Sequence, residues 1–163
     1  MPKIDALVHD FIDQKIVAVV GVSEKRDSGC NMAYDKFKEA GCKVYPVNPH
    51  IPTYHGETCY PDLKSIPVKP RAVFILTNPV VAEVVVRQCV DLGVSHVSMH
   101  CMLGTKPGAG SGMSSVSSAA VQMCREHGIV VIPGSCPNQF IKPDPFHGFM
   151  RKLWGIFGFM PAS

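Results

Sequence analysis

Five short apolar runs, most of them followed by a turn and then by a stretch of helical period, leave this chain few ways to fold. The first, residues 16–21 (IVAVVG), is β-rich and apolar at every position rather than at alternate ones. Such a run suits a strand buried on both faces, as in a parallel sheet. Further strands are expected at 43–47, 71–77, 96–101 and 129–132, with a short strand or turn within 58–64. Between them, 31–40, 79–92 and 113–127 read as helices, with Asn31 a candidate N-cap and Pro79 suited to a first turn. Ahead of them, apolar positions 4, 7, 8, 11 and 12 form one helical face. Strand–helix alternation of this kind predicts an α/β fold: a doubly wound, mainly parallel sheet of five to six strands with right-handed crossovers.

The 163 residues fit one domain, with 141–163 an amphipathic helical tail. At 46% hydrophobic and 18% charged, the chain is globular and not disordered. A net charge of +3 is mild; a dedicated nucleic-acid binder carries a denser basic stripe, and a small anionic ligand suits this charge at least as well. The longest strongly apolar runs, 16–22 and 80–86, fall far short of the ~18–20 residues of a transmembrane helix. Seven cysteines, an odd number with no C-x-x-C, and a start (Met-Pro-Lys-Ile-Asp) without an apolar leader point to free thiols in a reducing cytoplasm.

Ligands of open parallel sheets bind beyond the carboxyl ends of the strands. The loop after the first strand, Gly21-Val22-Ser23-Glu24-Lys25-Arg26-Asp27-Ser28-Gly29, has the chemistry of a diphosphate site. Gly21 permits close approach, Ser23 and Ser28 offer hydroxyls, Lys25 and Arg26 offer charge, and the next helix offers its first N–H groups. It is not G-x-G-x-x-G, because Ser23 stands at the second glycine position. Nor is there an acidic residue at the end of the second strand to pair with a ribose, since that strand ends Pro46-Val47-Asn48-Pro49. Both points count against NAD, and less strongly against NADP.

At these residues the sequence resembles the small stand-alone CoA-binding proteins of Rossmann-like fold, related to the CoA-binding domain of the succinyl-CoA synthetase alpha subunit. The resemblance rests on several motifs in order over about residues 15–140. They are Val20-Gly21-Val22-Ser23, Val44-Tyr45-Pro46-Val47-Asn48-Pro49, the G-x-x-x-Y-x-x-L-x-x-I-P segment at 56–67, Thr77-Asn78-Pro79, and Cys136-Pro137 after the last strand. It implies that coenzyme A lies across the strand ends. The diphosphate would rest on the loop from Gly21 to Ser28, the adenosine against Val47, Asn48 and Pro49, with Thr77 and Asn78 as further contacts. Lys25, Arg26 or His50 would meet the 3′-phosphate.

His100, near the carboxyl end of its strand, is a further candidate contact. His96, His100 and Cys101 are metal-ligand types, but their spacing matches no familiar zinc signature. Cys136 and Cys101 are candidate reactive thiols without an assignable base. The glycine-rich loop 103–112 is not a P-loop, lacking Gly-Lys-Ser/Thr, and reads as a surface loop, a flap or a second phosphate cradle. The tail aromatics Phe146, Phe149, Trp154 and Phe157 pack on the domain or on a second copy in a homodimer, or else lie on a membrane surface. Together these readings describe a binding module for CoA or an acyl-CoA without evident catalysis of its own. The alternatives are a subunit of an acyl-CoA synthetase-type enzyme and an NADP oxidoreductase.

Overall fold

In the computed structural model, which describes residues 4–25, 28–101 and 114–156, a lead helix packs beneath a parallel sheet. In chain order the elements are α1 (Ile4–Asp13), β1 (Ile16–Val20), α2 (Gly29–Glu39) and β2 (Lys43–Val47). A small hairpin follows, β3 (Thr53–Tyr54) and β4 (Glu57–Thr58). Next come β5 (Ala72–Ile75), α3 (Pro79–Leu92), β6 (His96–His100), α4 (Ser118–Glu126) and β7 (Val130–Ser135). A 3-10 turn (Pro137–Gln139) and α5 (Pro145–Ile156) complete the described chain. Arg26, the glycine-rich segment 103–112, Phe157 and the Trp154 side chain lie outside what is described.

The main sheet has five strands in the order β2-β1-β5-β6-β7, all parallel. The expected α/β, doubly wound, Rossmann-like fold is present. Along β1, Val17 and Val19 enter a core shared with α1 and α2, while Ala18 and Val20 enter the opposite core under α3 and α4. Burial on both faces is why the run is apolar at every position. Proline at position 46 is tolerated because β2 is an edge strand. Its carbonyl accepts the Tyr60 N–H at 2.9 Å, so the 59–60 segment covers part of that open edge.

Several boundaries differ from the sequence expectation. α2 begins at Gly29, because Ser28 rather than Asn31 is its N-cap. α4 begins at Ser118, capped by Ser117, five residues later than periodicity suggested. β7 runs on to Ser135, through Pro133 and Gly134, in ladder with β6. Within the expected tail, Pro145–Ile156 is helical, and Arg151 ties α5 to α1 through Asp5 at 2.6 Å.

Candidate functional site

From β1 the chain steps outward to β2, then returns to β5 on the other side of β1. The loops leaving β1 and β5 therefore diverge to opposite faces, and open α/β sheets take ligands in the crevice this leaves. Here its floor is 21–23 and 76–78. Gly21 has φ +111°, and a Cβ on it would lie 2.1 Å from the Leu76 carbonyl oxygen. The glycine is required first by the pinching of the two strand ends. The Gly21 N–H donates to the Val47 carbonyl at 3.0 Å, which leaves the strand end facing the crevice without a side chain.

The turn that follows is held from inside by Asn31, only 5% exposed. Its Oδ1 accepts the Ser23 N–H at 3.0 Å, and its Nδ2 donates to the carbonyls of Ser23 at 2.8 Å and Lys25 at 2.7 Å. Ser28 Oγ accepts the Asn31 N–H at 3.1 Å as the cap of α2, and among the described residues its own hydroxyl proton has no acceptor. The first N–H groups of α2 have no acceptor within the helix and carry the positive end of its dipole. Lys25 is exposed on the rim, and Val22 is fully buried, so it meets the crevice with backbone alone.

Asn48 is a brace between two loops. Its Nδ2 donates to the Val22 carbonyl at 2.6 Å, and its Oδ1 accepts the His50 N–H at 2.8 Å. A carboxylate there would lose the donated bond, so the neutral residue at the end of β2 has a structural reason. Pro49 and His50 are exposed beside it, whereas Val47 is packed in the core. Across the crevice, the Thr77 N–H donates to the buried Ser115 hydroxyl at 3.0 Å, and Thr77 Oγ1 donates to the Asn78 carbonyl at 3.1 Å. Asn78 caps α3, its Oδ1 accepting the Val81 N–H at 2.9 Å, with Pro79 in the first turn.

His100 closes β6, half-buried, edge-on to Phe74 at 6.2 Å between ring centres. Burial, helped by the nearby charge of His147, pushes its pKa down to about 4, so the imidazole is neutral at pH 7. His96 has a different task at the amino end of the same strand. Its Nε2 meets Asp10 Oδ2 at 2.9 Å and its Nδ1 meets Ser95 Oγ at 2.8 Å, anchoring α1. Four strand residues, roughly 13 Å, separate the two histidines, so they do not converge on one ion. The seven cysteines are all free and buried. Burial pushes the Cys136 thiol up to about 11, which keeps it protonated and a poor nucleophile.

The site residues thus fall into groups. Gly21, Val22, Ser23, Lys25 and Ser28 form one turn, Asn48, Pro49 and His50 a second, and Thr77 and Asn78 a third, all at the carboxyl ends of the strands; His100 ends the strand beyond β5. Arg26 lies outside the described residues. Periodicity did not single out Asn31 as the internal brace. The usable signal was Ser28, three residues earlier, which competes for the cap and frees the asparagine to turn back. Asn138 also went unnoticed; its buried Oδ1 has no partner among the described residues.

The model of the CoA binding domain family matches residues 15–139. The chain belongs to that family. Among solved structures it is similar to a hypothetical protein from Pyrococcus horikoshii OT3 (TM-score 0.72, 23% identity, covering 86% of this chain and 96% of that one). It is also similar to the crystal structure of Prb, a PH1109 protein redesigned for binding (TM-score 0.72, 23% identity, 86% and 94%). A third likeness is to the dinucleotide forming acetyl-coenzyme A synthetase 1 of Ca. Korarchaeum cryptofilum in its apo form (TM-score 0.59, 23% identity), covering 72% of this chain but 25% of that larger one. At these identities the likenesses are of fold. Among the described residues, no helix is long and apolar enough to cross a membrane.

Proposed function

We propose that the protein binds coenzyme A across the carboxyl ends of β1, β2, β5 and β6, as a binding module without chemistry of its own. The observation that carries this reading is the turn 21–28 at the reversal of strand order. It is braced by Asn31 and opens onto the N-terminus of α2, whose first N–H groups lack acceptors within the helix, an arrangement suited to a diphosphate. Gly21, Val22 and Ser23 supply backbone to the diphosphate, Ser28 its hydroxyl, and Lys25 and Arg26 charge. Val47, Asn48, Pro49 and His50 lie on the adenosine side, with Lys25, Arg26 or His50 meeting the 3′-phosphate. Thr77, Asn78 and His100 face the ligand from the adjoining strands.

Family membership supports CoA as the ligand, and the protonated, buried cysteines give no support to a nucleophilic step. The exposure of Phe146 and Phe149 on α5, 61% and 63%, supports a homodimer in which a second copy covers them.

Thermal unfolding with CoA, dephospho-CoA, NAD and NADP at about 1 mM each tests the reading. A ligand at 100 times its dissociation constant stabilises by roughly 2.7 kcal/mol, a shift of several degrees for a domain of this size. The expected result is a larger shift with CoA than with dephospho-CoA and none with NAD. A shift with NADP alone would replace the CoA reading by an oxidoreductase.

A further inference from the structure

The residues after 139 lie beyond the matched family segment, and α5 packs on the 3-10 turn Pro137–Gln139 that directly follows β7, which sets its start, with two titratable side chains, at the carboxyl end of the sheet. Asp144 opens α5. Its Oδ1 accepts the His147 backbone N–H at 2.9 Å, and its Oδ2 meets Nδ1 of the same imidazole at 2.6 Å. An ionised carboxylate only accepts, so in the neutral imidazole Nδ1 carries the proton and Nε2 presents a lone pair. The His147 side chain is 16% exposed, and among the described residues its Nε2 has no hydrogen-bond partner. His100 lies opposite Ser135 in the β6–β7 ladder, and Cys136 is the next residue. Three segments, the ends of β6 and β7 and the start of α5, thus bring His100, Cys136, Asp144 and His147 to the same end of the sheet.

This cluster stands apart from the phosphate turn. β6 is two strands from β1, roughly 10 Å across the sheet, a span that the pantetheine arm of CoA covers with its thiol leading. We propose that Asp144 and His147 form the thiol end of the CoA site and that free CoA, not a thioester, is the ligand it takes. The inference rests on the CoA reading above. The S–H of bound CoA donates to His147 Nε2. When the proton moves, the S–H bond breaks, its electron pair stays on sulfur, and the thiolate faces an imidazolium whose Nδ1–H remains on Asp144. A thioester has no proton to give and leaves Nε2 without a donor. Asp144 acts through His147 as a positioning residue. The buried Asn138 oxygen near Cys136 is a second acceptor at this end, of the kind that an amide N–H or a water satisfies.

Calorimetric titration of the full chain with CoA and with S-methyl-CoA tests the proposal. The wild-type protein is expected to prefer CoA by about tenfold, the size of one charge-assisted hydrogen bond. His147→Gln should bring the two affinities together while leaving binding of S-methyl-CoA nearly unchanged, and Asp144→Asn should shrink the preference in part. A preference that survives His147→Gln would be steric and would overturn the proposal, as would equal binding by the wild type. Failure to bind either ligand would remove the CoA reading itself, whereas tight binding of both removes only the thiol assignment.

Discussion

Gly21 and Asn31 are the two side-chain choices on which the phosphate turn depends. At Gly21 an added methyl collides with the Leu76 carbonyl, and φ is in the region L-residues avoid. Gly21→Ala is expected to destabilise by at least about 1–3 kcal/mol through backbone strain, read as a lower urea midpoint, and to abolish CoA binding. Asn31→Ala removes a donor and an acceptor from three partly buried backbone groups, at about 1–3 kcal/mol for each buried group left unpaired. Asn31→Asp should be worse for the turn than its shape suggests. It keeps the acceptor for the Ser23 N–H but sets a carboxylate against the carbonyls of Ser23 and Lys25. Calorimetry with CoA separates loss of the turn from loss of the fold: a variant that melts lower yet binds normally would show that the turn does not need this brace. Gly21 was legible as a turn glycine from its place at the end of IVAVVG. Asn31 was legible only as a polar residue at a helix start, because a side chain that folds back on its own loop leaves no periodic trace.

Helix ends set where the loops of the crevice begin. α2, α3 and α4 are capped by Ser28, Asn78 and Ser117, each accepting an N–H three residues on. Ser28→Ala and Asn78→Ala are each expected to cost about 1 kcal/mol, measurable as a drop in Tm. They should differ in ligand effect, since Ser28 sits at the start of the helix proposed to face the diphosphate. Equal loss of CoA affinity in both would argue that the site spans the two helices evenly. β1, apolar throughout, was readable almost to the residue, whereas β5 is Ala72–Ile75, shorter than the expected 71–77. β7 was read too short because Pro133 and Gly134 look like a break; they continue the ladder because β7 is the outer strand and its pairing with β6 shifts between Met99 and His100. The β3–β4 hairpin, two residues a side, is too short for any period to register.

The molecule as a whole keeps its titratable groups in surroundings that make stability depend on pH. The folded state holds His100 neutral down to about 4, whereas the unfolded chain protonates it near 6.5. As pH falls from 6.5 to 4, the unfolded chain takes up a proton that the folded chain refuses, so stability declines. Above 6.5 the contribution is complete. Urea midpoints between pH 7 and pH 4 should fall, and His100→Asn should flatten that slope; an unchanged slope would assign it to other groups. Burial of all seven thiols predicts negligible reaction with Ellman's reagent at neutral pH until urea unfolds the chain. The order and type of the main elements, and the turn after β1, followed from local sequence: apolar runs set strands, periodic faces set helices, and glycine, serine and asparagine set turns, all within a few residues of one another. Strand order, the pinch of Gly21 on Leu76, the bracing of Val22 by Asn48 and the seating of α5 on the 3-10 turn after β7 could be learned only from the folded chain. Each joins segments distant in sequence, and no local period records which distant partner a buried group will meet.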